Sequence, residues 1–198
     1  MKLVAAIELR KKENLTNISK KLPGYYKWWA SEKELKTLLN SKYIENKYFK
    51  DFLPFLTKKE IKGKTYYYIY VGVAINESIR ERLDWHINQH HTKTSVESGF
   101  LSTLRQTLSS LVAGNQYDEK NTNEFIDKLL VEYAEIDLEI HSKEAKEKIE
   151  KIEKDEINNN VLPLNIKDNK NEILTNYLKE LRCARKNARE IIWKLEIK

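Results

Sequence analysis

The sequence contains few of the residues that form disulfides or flexible linkers. Its 198 residues include a single cysteine, Cys183, so no internal disulfide can form and a reducing compartment is indicated. Only 5 Gly and 3 Pro residues are present, which argues against long linkers. No apolar run approaches the length of a membrane span, and the N-terminus lacks the apolar core of a signal peptide. We therefore expect a cytoplasmic protein.

The composition indicates a packed, basic, globular chain. Hydrophobic residues make up 40% of the sequence, with 11 Tyr and 4 Trp, and charged residues make up 33%. This length and composition suit one well-buried domain, with room for an inserted or appended part. The formal net charge of +6 and the sequence pI near 9.1 suit a polyanionic partner. Many basic proteins bind no nucleic acid, so charge alone does not identify the partner.

Three segments have the pattern of β-strands. Residues 25–29 are dense in aromatics, and residues 65–74 read TYYYIYVGVA, the strongest strand signal in the chain. Residues 133–140 alternate apolar and acidic side chains, which predicts a half-exposed third strand. Helical patterns lie between and after these segments, so the order of elements predicts an α+β fold.

Serine residues mark the predicted starts of three helices. Ser31 with Glu34, and Ser78 with Glu81, have the spacing of a capping box, in which the two residues satisfy each other's backbone amide groups. Ser142 precedes a helix rich in lysine and glutamate. A last amphipathic helix is predicted from about residue 172 to residue 195.

Two tripeptides and four later side chains follow one another in a definite order. The tripeptides are GYY at residues 24–26 and YVG at residues 70–72, both on predicted strands. A predicted helix over residues 79–90 then carries Arg82 and, one turn later, His86. Glu153 lies on the helix after the third strand, and Asn165 follows twelve residues later, behind a turn that contains proline. In this order, residues 22–166 resemble the GIY-YIG nuclease family.

The resemblance implies a small three-stranded antiparallel sheet flanked by helices. Residues 22–166 are expected to form the nuclease domain, with helical insertions at about 31–64 and 88–131. Residues 1–21 are expected to be an N-terminal arm. A C-terminal helix within residues 167–198 is expected to pack on the domain.

The resemblance also implies a metal-dependent endonuclease that hydrolyses phosphodiester bonds in DNA. Such a reaction needs an activated water and stabilisation of charge on the phosphate and the leaving oxygen. Glu153 is implied as the ligand of Mg²⁺ or Mn²⁺. The same predicted helix has an apolar stripe formed by Ala145, Ile149, Ile152 and Ile157. Glu156 lies nearer the middle of this stripe than Glu153, so helical periodicity does not choose between the two glutamates. The family spacing to Asn165 selects Glu153. A solvated glutamate on a charged helix is the alternative.

Arg82 and His86 lie on one helix face, so both side chains can point at one site. Arg82 would bind the scissile phosphate, with a surface ion pair as the alternative. Arg80 is a rival, but it lies roughly 200° away around the helix. His86 shares its face with apolar residues, so a hydrogen-bonded core histidine is its alternative role. A zinc site is not favoured, because no cysteine pair or paired carboxylates accompany the histidines.

The remaining motif residues take their roles from the resemblance. Tyr26 is expected to act as general base or to orient the water, and Tyr70 to support the phosphate or the water. Packing in an aromatic core is the alternative for both. The motif glycines are Gly24 and Gly72, and Gly72 would allow close backbone approach. Asn165 is expected to brace its loop or Glu153 by hydrogen bonds.

A basic face on the last predicted helix is a candidate DNA contact, although a solvated polar face would look the same. We expect DNA as partner, with no membrane and no small-molecule cofactor. A catalytically inactive nucleic-acid-binding module and an RNA nuclease are the alternative functions. The candidate nucleic-acid contacts are Arg80, Arg182, Arg185, Lys186 and Arg189.

Overall fold

The computed structural model describes residues 1–195, and the side chains of residues 1–191. Five strands form one antiparallel sheet in the order β1-β5-β2-β4-β3. The strands are β1 (Lys2–Ala5), β2 (Gly24–Ser31), β3 (Lys58–Ile61), β4 (Lys64–Ala74) and β5 (Leu130–Glu135).

Ten α-helices and two 3-10 turns are present in the described part of the chain. The helices are α1 (Ala6–Leu9), α2 (Lys12–Leu15), α3 (Glu32–Leu39), α4 (Phe49–Phe52), α5 (Ile79–Asn88), α6 (Lys93–Glu97), α7 (Thr103–Val112), α8 (Glu119–Ile126), α9 (Lys143–Asn159) and α10 (Thr175–Leu195). The 3-10 turns are Leu53–Phe55 and Glu172–Leu174.

The sheet has five strands, so the prediction of three strands was wrong. The additional strands β1 and β3 have four residues each and form the two edges of the sheet. β1 lies in the expected N-terminal arm and pairs with β5, whereas β3 lies in the first expected insertion and pairs with β4. Strands this short carry little pattern of their own. They form because a neighbouring strand offers unpaired backbone groups.

The third predicted strand begins and ends earlier than its pattern indicated. β5 covers Leu130–Glu135 rather than residues 133–140. Beyond it the chain leaves the sheet, and the Ile136 amide donates instead to the carbonyl of Pro23 at 2.9 Å. Ile136 and Leu138 stay half-buried outside the sheet, which explains why the apolar alternation continues after the strand has ended.

A bulge in β4 decides which face of the sheet its side chains reach. Trp28 pairs with Tyr70, whereas the next residue of β2, Trp29, pairs with Tyr68, so Ile69 is an extra residue. Ile69 and Tyr70 therefore both reach the main core, while Tyr68 packs with Trp29 on the opposite face. If the side chains of the YYYIYV run alternated strictly between the two faces of the sheet, Ile69 and Tyr70 would point to opposite faces. One of them would then miss the main core.

The main core lies between one face of the sheet and the helices. α7, which belongs to the second expected insertion, is buried along most of its length and packs against α10. α9 covers part of the other face, where Ile157 and Leu162 pack with Trp29, Tyr68 and Val71. The inserted segments are thus integral to the core. No helix in residues 1–195 has the length and apolarity needed to cross a membrane.

The two predicted capping boxes have different outcomes. At α5 the box is present, with the Ser78 hydroxyl accepting from the Glu81 amide and the Glu81 carboxylate accepting from the Ser78 amide at 2.9 Å. At α3 it is absent, because the Ser31 hydroxyl bonds to the Glu34 side chain and caps no backbone amide. Both helices nevertheless begin directly after the serine.

The C-terminal end of α5 is held by a fully buried arginine. Arg105 donates to the carbonyls of His86 and Ile87 at 2.8 and 3.1 Å, and to the ring of His91 at 2.9 Å. A positive charge is favourable at this end of a helix dipole. Although burial lowers the pKa of Arg105 to about 10, the side chain remains charged at neutral pH.

Arg105→Met should destabilise the protein by roughly 2–4 kcal/mol, because it leaves several buried acceptors without a donor. Chemical denaturation at neutral pH measures the change in free energy of unfolding. Lys143→Met is the matched control, since the Lys143 side chain is exposed and forms only an i,i+4 pair with Glu147. Equal effects of the two substitutions would contradict this account of Arg105.

Candidate active site

A cleft of about 340 Å³ opens where the sheet meets α5, α7 and α9. All six side chains that the sequence analysis singled out for catalysis line it, together with residues from the loop after α9. The six are Tyr26, Tyr70, Arg82, His86, Glu153 and Asn165.

A chain of hydrogen bonds connects β2, α5 and α7 at the floor of the cleft. The hydroxyl of Tyr26 bonds to Nε2 of His86, and Nδ1 of His86 lies 3.0 Å from the hydroxyl of Ser102. Ser102 is also the N-cap of α7, where its hydroxyl accepts from the Arg105 amide at 3.3 Å. All three side chains in the chain are buried.

The protonation states of this chain follow from its burial. Burial lowers the pKa of His86 well below its ordinary value, and the charges of Arg82 and Arg105 lower it further. Burial also raises the pKa of Tyr26 well above 10, an effect that Tyr70 increases and Arg82 opposes. At neutral pH the pair is therefore a neutral imidazole and a protonated phenol. One ring nitrogen of His86 donates and the other accepts.

Close contacts account for both motif glycines. A Cβ atom on Gly72 would lie 2.3 Å from the hydroxyl oxygen of Tyr26, its partner across the sheet. A Cβ atom on Gly24 would lie 2.1 Å from the carbonyl oxygen of Ala134 in β5. Gly72 thus leaves the space in which the Tyr26 hydroxyl reaches His86.

Tyr70 lies beside Tyr26 and meets charges from three helices. The two ring centroids are 6.4 Å apart. Burial raises the pKa of Tyr70 to about 12; Glu153 contributes to this rise, and Arg82 and Arg185 oppose it. Its hydroxyl therefore stays protonated at neutral pH and can donate a hydrogen bond into the cleft.

Two neighbouring side chains hold Arg82 at the cleft, and one of its nitrogen donors has no partner in the described part of the chain. Its Nη2 atom forms an ion pair with Glu77 at 2.6 Å, and its guanidinium lies 5.3 Å from the ring centroid of Trp85. Its Nε atom is buried and has no hydrogen-bond partner among the described residues. A buried donor without an acceptor is costly, so a rotation of the guanidinium that gave Nε an acceptor would be favourable.

Arg80 is not among the residues that line the cleft. Its guanidinium donates to the backbone carbonyls of Ile18, at 2.6 Å, and Thr16. These bonds attach the segment after α2 to α5. The assignment of Arg80 to nucleic-acid binding stays a prediction.

The structure separates the two candidate glutamates. Glu153 lines the cleft half-buried and makes no hydrogen bond or ion pair with any residue of the described chain. Burial raises the pKa of Glu153, an effect that Lys167 opposes and that Asp168 and Glu150 increase. Glu156 instead forms an ion pair with Lys27. Of the two candidate glutamates, the one whose carboxylate lies unpaired at the cleft is therefore Glu153.

Asn165 clamps the loop after α9 onto the sheet. Its Oδ1 accepts from the Val71 amide and its Nδ2 donates to the Val71 carbonyl, both at 2.9 Å. The Leu164 amide donates to the Ile69 carbonyl at 3.1 Å, so this loop pairs with β4 where β3 has ended. The hydrogen bonds of Asn165 therefore brace the loop and β4 and do not reach Glu153.

Four polar residues of the site have no counterpart in the sequence analysis. Lys167 and Asp168 line the cleft directly after the Asn165 clamp, and Thr103 lines it at the start of α7. Ser102 bonds to His86. The only signal that the sequence offered for them was their position. Lys167 and Asp168 closely follow Asn165, and Ser102 and Thr103 lie at the start of a helix. Nothing in the spacing of the chain indicated that α7 would reach α5.

Two of the side chains that line the cleft, those of Glu153 and Asp168, are carboxylates that could hold a divalent cation. No group of three or more His, Cys, Asp or Glu residues that could hold a metal occurs in the described part of the chain. His91 bonds to Arg105 and to the carbonyl of Gln116, and His90 pairs with Glu119. A free carboxylate facing a polar cleft matches Mg²⁺, which keeps several waters and needs few protein oxygens.

The basic face of α10 forms a groove of about 420 Å³. Arg185 and Arg189 both donate to the side-chain carbonyl of Gln106 on α7, the latter at 3.2 Å. These bonds connect the groove to α7, whose first residue, Thr103, lines the cleft. The lining residues are Arg182, Arg185, Lys186, Arg189 and Glu190.

Glu153→Gln should stabilise the protein at neutral pH. The pKa of Glu153 is higher in the folded than in the unfolded state, so ionisation costs stability as the pH rises through the unfolded value. Glutamine removes that cost. The gain in stability should vanish at acidic pH, where the Glu153 carboxyl is protonated in both the folded and the unfolded state. Denaturation curves without added metal test this. Glu156→Gln, which leaves Lys27 without its carboxylate partner, should instead destabilise the protein. A stabilised Glu156→Gln protein together with a destabilised Glu153→Gln protein would contradict the assignment of Glu153 as the unpaired glutamate.

The comparison with protein families gives one match. The family model described as GIY-YIG catalytic domain matches residues 24–187. That range contains the six cleft residues, the loop after α9 and the first part of α10. No curated protein and no solved structure matches the chain.

Proposed function

Because the chain belongs to the GIY-YIG catalytic domain family, and so to a nuclease superfamily, we propose that it is a metal-dependent endonuclease that hydrolyses phosphodiester bonds in DNA. The observation that carries this proposal is the convergence of three groups in one cleft. They are the unpaired Nε donor of Arg82, the free carboxylate of Glu153 and the Tyr26–His86 pair.

Arg82 binds the scissile phosphate. Its planar and permanently charged guanidinium is suited to phosphate oxygens, and Glu77 and Trp85 already hold it in place. The Nε donor then gains the acceptor that it lacks in the free protein. The hydroxyl of Tyr70 donates to the same phosphate or to the attacking water.

Tyr26 and His86 activate the water. The pKa of Tyr26 is too high for a phenolate at neutral pH, so the phenol orients the water and transfers protons without ionising first. One proton passes from the water to the Tyr26 oxygen as the tyrosine proton passes to Nε2 of His86. Because burial and Arg82 lower the pKa of His86, this transfer depends on the negative charge of the bound phosphate, which opposes the effect of Arg82. In this arrangement Nε2 of His86 accepts from Tyr26, so Nδ1 carries the ring proton and donates to the Ser102 hydroxyl.

Glu153 would hold the divalent cation, Mg²⁺ or Mn²⁺. When bound, such an ion stabilises charge on a phosphate oxygen and on the leaving oxygen. Asn165 keeps the loop that carries Lys167 and Asp168 in register with β4, and so maintains the wall of the cleft around Glu153. Its role is therefore one of positioning.

The proposal predicts cleavage of DNA that requires Mg²⁺ or Mn²⁺ and is lost in Glu153→Gln. Glu156→Gln should keep substantial activity, because Glu156 pairs with Lys27 and leaves the cleft unchanged. Plasmid DNA, single-stranded DNA and RNA are digested in parallel with each variant. Full activity in excess chelator would overturn the metal requirement. Cleavage of RNA alone would show an RNA nuclease, and cleavage of no substrate by the parent protein a silent binding module.

The two arginines of α5 should differ sharply in their effect on rate. Arg82→Ala should reduce the single-turnover cleavage rate at least about a hundredfold, the magnitude expected for loss of one preorganised charge stabiliser. Arg80→Ala removes bonds to Thr16 and Ile18 and should lower stability while sparing most of the rate. A near-normal rate for Arg82→Ala with an inactive Arg80→Ala protein would reverse the assignment of the phosphate-binding arginine.

A further inference from the structure

Phe100 is the most exposed large apolar side chain in residues 1–191. Its relative exposure is 66%, and its neighbours Ser98 and Gly99 are small and exposed. The ring is thus exposed to solvent, and the two residues before it add no large apolar side chain. Isolated exposed apolar residues are common and need no special role, so the case for a function rests on the surroundings of Phe100.

Hydrogen bonds hold the backbone from the Phe100 carbonyl to the Ser102 amide. Gln89 donates to the Phe100 carbonyl at 2.8 Å, and its side-chain oxygen accepts from the Ser102 amide at 2.8 Å. The amide of Leu101, which is itself buried, donates to the Ser95 carbonyl at 2.7 Å. The turn thus holds an aromatic ring out in solvent on a fixed support. A ring positioned in advance loses less entropy when it is covered by a ligand.

The turn lies between the cleft and the basic groove of α10. Thr103, which lines the cleft, is three residues from Phe100, a span of at most roughly 10 Å. On the other side, the Gln106 side chain donates to the Leu101 carbonyl and accepts from Arg185 and Arg189. Phe100 is thereby connected to both surfaces that the proposed function assigns to the nucleic acid.

An aromatic ring beside a row of cations has the chemistry of a nucleobase contact. Cations follow the phosphate backbone, and a neighbouring aromatic ring stacks on a base or inserts between base steps. A stable protein partner would need a contiguous interface of several hundred Å² on each side. One exposed ring preceded by two small residues does not provide such an interface by itself.

We propose that Phe100 contacts a base of the bound DNA, stacking on it or wedging beside it, next to the phosphate held in the cleft. This inference rests on the proposed function, because it takes the cleft and the α10 groove to bind one DNA molecule. It adds a base contact to a site whose other contacts are to phosphate. Phe100 thereby helps to set which nucleotide lies in the cleft.

The test uses Glu153→Gln protein, which binds without cutting, and short duplexes that carry 2-aminopurine at successive positions. Binding should change the fluorescence at one position or a few neighbouring positions. Adding Phe100→Ala should abolish that local change and weaken binding roughly tenfold, whereas Phe100→Trp should retain both. Phe55→Ala is the matched control, because Phe55 is also exposed, at 56%, and should have no effect.

Each failure has its own signature. If the Glu153→Gln protein binds DNA and Phe100→Ala leaves affinity and fluorescence unchanged, the base contact is overturned while the proposed function stands. If the parent and Glu153→Gln proteins bind no DNA, both are overturned. A change of oligomeric state in Phe100→Ala, measured by light scattering without DNA, would overturn the base contact in favour of a protein interface.

Discussion

The hydrogen bond between the Tyr26 hydroxyl and the His86 imidazole organises the site, because it joins the sheet to α5 in the interior of the protein. Two neutral groups share it, since burial disfavours the charged form of each. It exists only because Gly72 leaves room for the tyrosine and Ser102 occupies the other ring nitrogen. The fully buried Arg105 holds the end of the helix on which the histidine lies. Packing, charge and chemistry thus converge on one contact.

The second constraint is the position of β4, which brings Tyr70 into the cleft. A bulge at Ile69 redirects its side chains, and the Asn165 clamp on Val71 replaces the strand partner that β3 no longer provides. Both features let one strand serve a packed core at one end and a polar cleft at the other. The loop that follows the clamp then contributes Lys167 and further polar atoms to the same cleft.

The segments expected as insertions take part in this construction. α7 supplies Ser102 to the histidine and packs against α10, and β3 completes an edge of the sheet. Gln106 on α7 also bonds to the basic residues of α10, so the α10 groove and the cleft share one support. Elements outside the family motifs therefore fix the geometry of the motif residues. Reactive groups keep a precise geometry only when the residues around them are packed.

The sequence by itself determined the family, the α+β class and the order of the motif residues, because these depend on local patterns and spacing that survive in one dimension. It could not distinguish Glu153 from Glu156 by periodicity, nor detect the edge strands β1 and β3. The tertiary structure shows that Glu156 pairs with Lys27 whereas Glu153 lines the cleft, and that the short strands form against an existing sheet edge. It also brought Ser102 to His86. Such contacts join residues from separate elements, and no local pattern encodes where those elements meet.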